Sequence, residues 1–498
     1  MRHKQAVVTL AAVASVLAAA CAAPDRPGDA TTDLTRFYTQ RPQWTACAND
    51  RLDRAGAQCA QITVPLNYQQ PQGETIAVTI SRLAADPARR HGVMLSNPGG
   101  PGDPGLEFTL DIAPALPEDV RSRYDLIGMD PRGVGRSAPV SCGGPTGFPL
   151  RSAGVDPAGF DESAAAQRDL AQRCLTAGGE RLPYLNTRNT ARDMDVIRAV
   201  LGVDRISYFG TSYGTYLGAV YTQMFADHSD RIVLDSVLGP ARYGMGMVQD
   251  MGAPNEAALD AWAEWTAARN DEYRLGATGS EVRAAVTELI QRAAHTPIRI
   301  GAHVIDDHWL PVLLWVRLAD PARYQMLAEE IRQLTDAAAG AQRQPDDELD
   351  SALSTMLTGR PHDASAVAAL MCADVPFPRD IEWYRRAVEA SRATQPVFGP
   401  LVNNMPGCAF WPDPVEPPTA VHNATPALMV QATGDTRAAY AGAGALHREM
   451  TASRLVTLKD VAVHGIFGTY RNRCVETAIG SYFRDGTLPS ADITCVAD

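Results

Sequence analysis

Hydrophobic and polar positions alternate along this chain in two rhythms. Between residues 61 and 235, short apolar runs are separated by stretches of helical period. Residues 61–66 and 75–83 read as strands. In the second, Ile76, Val78 and Ile80 share a face, the two-residue period of a pleated strand. These two are expected to pair antiparallel at one sheet edge. Residues 92–96, 124–129, 205–209 and 231–235 are short apolar runs, the pattern of strands covered on both faces. Residues 190–201 set Met194, Ile197 and Leu201 on one helical face, and 216–225 reads as a further helix. Strands that alternate with helices, several ending in Gly-rich turns, predict an α/β fold with a doubly wound, mostly parallel sheet.

Beyond residue 236 the rhythm changes. Residues 257–269, 281–294, 321–339, 347–357 and 381–392 have helical period, with no strand–turn–helix alternation between them. A Pro-rich connector, 406–425, follows. Strand patterns return at 427–432 and at 454–458, the latter expected as the last strand. One sheet interrupted by a helical insert accounts for this order. The expected organisation is a core in two parts, 46–236 and 426–498, split by the insert 237–425.

The first residues follow another logic. Arg2, His3 and Lys4 precede a 15-residue apolar run from Ala6 to Ala20, too short for a bilayer span but suited to a signal segment. Leu17-Ala18-Ala19-Ala20-Cys21 resembles a bacterial lipobox, which implies lipidation of Cys21. Cleavage at a nearby Ala-x-Ala site and free secretion is the alternative. Residues 1–21 are therefore read as a signal segment and 22–45 as a tether. The chain has nine cysteines, and setting Cys21 aside leaves an even set, as a disulfide framework in an exported chain requires. Spacing leaves the pairing open. Joining sequence neighbours gives Cys47–Cys59, Cys142–Cys174, Cys372–Cys408 and Cys474–Cys495. No spacing is C-x-x-C, so no zinc site is expected. The net charge is −12 with no basic run, which excludes nucleic acid as an expected partner.

The chemistry centres on Gly210-Thr211-Ser212-Tyr213-Gly214, between an expected strand and an expected helix. In that context G-x-S-x-G is a nucleophile elbow, with the serine raised on a tight turn. A serine hydroxyl needs a base to take its proton. Partners of such an elbow follow in the order acid, then histidine. His464 lies in the turn after 454–458, where a base would reach back over the sheet. Asp435, in the turn after 427–432, is the expected acid, with Asp460 as its rival. The oxyanion of an acyl intermediate needs two backbone N–H donors. Tyr213 is expected to give one and Gly100, in Asn97-Pro98-Gly99-Gly100-Pro101-Gly102, the other.

Taken in order, these motifs resemble the tripeptidyl aminopeptidase branch of the proline-iminopeptidase-like α/β-hydrolases. The resemblance runs from Cys47 to Cys495. It includes Asp130-Pro131-Arg132-Gly133-Val134-Gly135-Arg136-Ser137, Thr190-Ala191-Arg192-Asp193-Met194-Asp195 and a C-terminal segment bounded by Cys474 and Cys495. It implies an exported bacterial peptidase, secreted or lipid-anchored to the outer face of the cell membrane, with a helical lid inserted in an α/β-hydrolase fold. Such enzymes release short peptides or residues from free N-termini, and some members are carboxylesterases. The chain departs from the family pattern in three places. Asp435 is followed by Thr436-Arg437-Ala438-Ala439 where the family has Pro-x-Thr-Pro. Asp103-Pro104 replace Gly-Ser after the oxyanion glycines. Thr266 and Tyr273 stand where a lid cysteine pair is usual.

An exopeptidase must hold the substrate's ammonium, best with carboxylates in a partly dry pocket. Asp103, Glu264, Glu272 and Asp374 are the candidates. The expected reaction is acyl transfer by Ser212, His464 and Asp435 on a peptide or small ester, with no metal or cofactor. The alternatives are a carboxylesterase using the same residues and a catalytically weak, lipid-anchored binding protein.

Overall fold

The computed structural model describes residues 33–144, 146–360 and 363–498. Its strands are β1 (Thr45–Ala46), β2 (Gln58–Pro65), β3 (Thr75–Leu83), β4 (Gly92–Asn97), β5 (Tyr124–Met129), β6 (Ile206–Thr211), β7 (Ser229–Asp235), β8 (Ile298–Ile300), β9 (His303–Ile305), β10 (Ala427–Ala432), β11 (Arg454–Leu458) and β12 (Ile493–Cys495). Ten form one sheet in the order β1-β2-β3-β5-β4-β6-β7-β10-β11-β12. From β5 to β12 neighbours run parallel, whereas β1, β2 and β3 are joined antiparallel at one edge. The crossing-over of β4 and β5 brings the ends of β4, β6, β7 and β10 side by side. In open α/β sheets, ligands bind beyond such carboxyl ends.

The apolar strand pattern explains the packing. Val93, Leu95, Ile206, Tyr208 and Ile232 face one layer of helices, and Met94, Phe209, Val233, Leu428 and Val456 face the other. The helix Tyr213–Met224 is buried along nearly its whole length beneath the sheet. The chain between β7 and β10 forms a second apolar core around Leu259, Trp262, Leu289, Leu313, Leu334, Leu353 and Phe398. The segment thus has burial of its own, separate from that of the sheet.

The chain between β7 and β10 is mainly helical, as expected, and also holds an antiparallel hairpin of β8 and β9 that turns at Gly301 (φ +55°). Its strands are three residues each, too short for a period-two pattern to stand out. One expectation needs correction: β11 is not the last strand. β12 pairs parallel with it, and Cys495 on β12 is bonded to Cys474 on the helix Arg473–Asp485. The structure also forms Cys47–Cys59, Cys142–Cys174 and Cys372–Cys408. Cys21 lies outside the described residues. Among those residues, no helix is long and apolar enough to cross a membrane.

Candidate active site

Ser212 stands between β6 and its helix with φ +57° and ψ −122°, a left-handed conformation that a residue with a side chain adopts only under constraint. The constraint is visible on both sides. The Ser212 N–H donates to the Asp235 carbonyl at 3.0 Å, and the Ser212 carbonyl accepts from the Thr215 N–H and hydroxyl at 2.8 and 2.6 Å. A Cβ at Gly214 would lie 2.6 Å from the Asn97 carbonyl oxygen, so only glycine lets the helix start this close to β4. The serine is half-buried at the carboxyl end of the sheet.

The loop after β4 closes on this turn. Gly99 has φ +113°, and a Cβ there would lie 2.9 Å from Ser212 Cβ and 3.2 Å from the Tyr213 nitrogen. Its N–H donates to Asn97 Oδ1 at 3.0 Å. Gly100 follows with φ +99°. Tyr213 opens the helix, so its N–H has no partner four residues back. Gly99 thus packs directly on the turn at Ser212 and Tyr213, with Gly100 the next residue along the chain.

His464 and Asp435 meet. His464 Nδ1 lies 3.0 Å from both carboxylate oxygens of Asp435, which leaves Nε2 turned away from the acid. Asp435 is 1% exposed, and its Oδ1 accepts from the Arg437 and Ala438 N–H groups at 2.8 and 2.9 Å. The acid turn thus closes on its own backbone without the usual Pro and Thr. Asp460, the rival acid, is exposed and paired with Lys459. Gly465 lies against the end of β6, where a Cβ would be 3.5 Å from Thr211 Cγ2.

The residues between β7 and β10 reach this end of the sheet at several points, among them Asn255, whose Nδ2 donates to the Thr436 carbonyl at 2.8 Å. The Ala319 carbonyl accepts the His464 N–H at 3.3 Å. On the other side, a Cβ at Gly102 would lie 2.8 Å from the Val367 nitrogen.

The proposed ammonium-binding acids are not brought together. Asp374 is 6% exposed, with both oxygens occupied: Oδ1 by the Thr187 N–H at 2.6 Å, Oδ2 by the Thr187 and Tyr243 hydroxyls at 2.7 and 3.2 Å. Burial pushes its pKa up to about 7, against these hydrogen bonds. The Thr187 hydroxyl also meets the Tyr213 hydroxyl at 2.7 Å. Asp374 thereby ties its helix to the helix that begins at Tyr213, and both its oxygens are taken up within the protein. Glu264 is exposed and lies against Gly279, at the start of the helix Gly279–His295. Glu272 is exposed on the short helix Asn270–Tyr273. Asp103 is exposed on the loop that carries Gly100.

Sequence reading passed over Asp235. It is fully buried at the end of β7, and its carboxylate accepts the Ile466 and Phe467 N–H groups at 2.9 and 2.8 Å. Next to it, Ser236 (φ +59°) accepts the Gly465 N–H at 2.8 Å. The signal was an acid closing the apolar run Ile232-Val233-Leu234 at the end of the sheet where ligands bind.

Comparison with known proteins agrees with this geometry. Residues 92–287 match the α/β-hydrolase fold family, and residues 395–495 match the family of TAP-like proteins. The tripeptidyl aminopeptidase of Streptomyces lividans is 34% identical over 91% of this chain and 86% of its own length. Carboxylesterase B of Mycobacterium tuberculosis is 30% identical over 95% and 93%, and the serine protease Hip1 of the same organism 28% over 92% and 91%.

Proposed function

The chain belongs to the TAP-like branch of the α/β-hydrolases and is a serine peptidase, and from that premise we propose that it releases tripeptides or other short pieces from free peptide N-termini. The reading rests on one geometric observation above all. Nδ1 of His464 faces the buried Asp435 carboxylate at 3.0 Å, beside a strained Ser212 elbow.

Ser212 Oγ attacks the scissile carbonyl carbon while His464 Nε2 takes its proton. Asp435 holds the imidazole in the tautomer that leaves Nε2 as base, and stabilises the imidazolium. The Gly100 and Tyr213 N–H groups receive the oxyanion. The tetrahedral intermediate collapses as the C–N bond breaks and His464 gives its proton to the departing amine. Water, deprotonated by His464, then attacks the Ser212 ester, and His464 returns the proton to Ser212 Oγ as the acid product leaves.

Residues 237–425 act as the lid of a core formed by 46–236 and 426–498, and limit the size of substrate admitted. Asp103 is the carboxylate assigned to the substrate ammonium, since it lies on the oxyanion loop while Asp374 and Glu264 do not. The four disulfides mark the protein as exported or extracellular. Lipidation of Cys21 would tether it to the cell membrane through a segment shorter than the expected 22–45, because Phe37 is buried in the core, the Tyr38 hydroxyl donates to Asp195 at 3.2 Å and Thr45 pairs with β2.

The 30% identity to a carboxylesterase supports a second reading, ester hydrolysis by the same three residues. Two anilides of one tripeptide, one free and one acetylated at the N-terminus, separate the two. Cleavage of the free form alone is expected. Equal cleavage of both, or turnover of p-nitrophenyl esters only, overturns the aminopeptidase reading.

A further inference from the structure

We propose that Asp235 is a positioning residue for this reaction: its carboxylate fixes the loop that carries His464, and its ionisation governs how well the base is held. The inference rests on the assignment of Ser212 and His464 given above.

The argument starts from the place of β7 in the sheet. Asp235 is register partner to Thr211 at the end of β6 and to Val430 on β10. It therefore stands between the strand that carries the nucleophile and the strand that carries the acid. Its main-chain carbonyl holds the Ser212 N–H at 3.0 Å. Its carboxylate holds the loop of the base: Oδ1 and Oδ2 share the Ile466 N–H at 3.1 and 2.9 Å, and Oδ2 takes the Phe467 N–H at 2.8 Å. Ser236 completes the grip. Its N–H binds the Val430 carbonyl at 2.9 Å, and its hydroxyl receives the Gly465 N–H at 2.8 Å. Three successive N–H groups after His464 thus end on two adjacent residues. One residue, through its two ends, sets the nucleophile and the base relative to each other.

A fully buried carboxylate with no Arg or Lys against it is costly unless it accepts several hydrogen bonds. Burial pushes its pKa up to about 6, against the pull of the Phe467 and Ile466 amides. The charged groups it feels are His464, on the loop after β11, which favours the carboxylate, and Asp435, on the loop after β10, which opposes it. On the β6 side its register partner is the uncharged Thr211. When Asp235 is protonated it is a weaker acceptor for those amides, and the negative charge that supports a protonated His464 is gone. Acid therefore reaches the reaction twice, through His464 itself and through the residue that positions it.

The test is the rate at which a fluorophosphonate labels Ser212, followed against pH in the wild-type protein and in Asp235→Asn, beside kcat and KM on a peptide anilide. In the wild type, the logarithm of the rate is expected to fall below about pH 6 with a slope steeper than one. In Asp235→Asn the slope returns to one, kcat drops about tenfold and KM changes less than twofold. A slope of one in the wild type, or wild-type kcat and pH profile in Asp235→Asn, overturns the proposal and leaves the nucleophile assignment standing. Absence of labelling in the wild type, or labelling retained in Ser212→Ala, overturns both. The wild-type profile decides the matter even where the variant does not fold.

Discussion

The carboxyl edge of the sheet and the segment between β7 and β10 both bury acidic side chains, and they use them in opposite ways. At the sheet edge, among the described residues, neither Asp235 nor Asp435 has an Arg or Lys as hydrogen-bond partner: backbone N–H groups, the Gln431 amide, the Ser236 hydroxyl and the imidazole of His464 supply their contacts. In the helical segment, Glu330 is bound by Arg317, whose Nε lies 3.0 Å from both carboxylate oxygens. Glu256 is bound by Arg283 at 2.6 Å and by the Val397 and Phe398 N–H groups. An acid neutralised by arginine holds helices together. An acid held by amides next to a histidine remains available to a proton-transfer step. Type and burial alone do not distinguish the two; the partner does.

The largest expected effect falls at the sheet edge. Ser212→Ala should lower kcat by about 10⁴–10⁶-fold, and Asp435→Asn by about 10⁴-fold, without loss of the folded state. Turnover of a peptide anilide, with thermal unfolding as control, measures both. A helical-segment substitution that cost as much in kcat at unchanged stability would break the comparison.

In the helical segment the cost should appear as stability. Arg317→Ala leaves Glu330 buried and unpaired, and should destabilise the protein by about 3–5 kcal/mol. Replacing both partners by apolar residues of similar volume should restore most of it, because the charge that must be buried is gone. Urea unfolding reads both. An equal loss from the double replacement would show that the pair contributes more than mutual neutralisation.

Asp374 belongs to both regions, since it ties a helix of the insert to Thr187 and, through it, to Tyr213. Its folded-state pKa of about 7 lies above its ordinary value of 3.8. Between those values the folded protein keeps a proton that the unfolded chain has released, so this group lowers stability as pH rises from about 4 to about 7. Above pH 7 its contribution is constant. Asp374→Asn should flatten that decline, by an amount on the order of a few kcal/mol at neutral pH. Thermal midpoints from pH 5 to pH 8 test it, and parallel curves for the two proteins would refute it.

The contrast also explains which parts were legible in the sequence. β3, β5, β10 and β11 have the bounds that their sequence patterns predict: β5 and β10 because strands covered on both faces are largely apolar, β3 because Ile76, Val78 and Ile80 alternate onto one face. Ser212, His464 and Asp435 could be placed because each follows such a pattern. The helix Pro157–Gly178 was passed over, since alanines and scattered charges blur its apolar stripe; Asp156 as N-cap and Pro157 in the first turn were the readable signs. The acids of the insert were misjudged for another reason. Glu264 and Asp374 look alike in sequence, whereas one lies in solvent and the other is sealed by two hydroxyls and an amide. Such partners lie far off in the chain, at Thr187 and Tyr243, and no local pattern points to them.

The smallest effect is the most informative about substrate binding. If the ammonium is held at the oxyanion loop, Glu264→Gln should change KM for a free tripeptide anilide less than twofold and stability by less than about 0.5 kcal/mol. Asp103→Asn should raise KM for the free peptide about tenfold and leave an acetylated analogue unaffected, because only the free amine carries the charge that Asp103 attracts. Reversed outcomes would move the clamp from the sheet edge into the insert. A helix-surface acid would then have a part in binding that its exposure and its neighbour Gly279 do not suggest, and the division of labour between the two regions would hold for proton transfer but not for recognition.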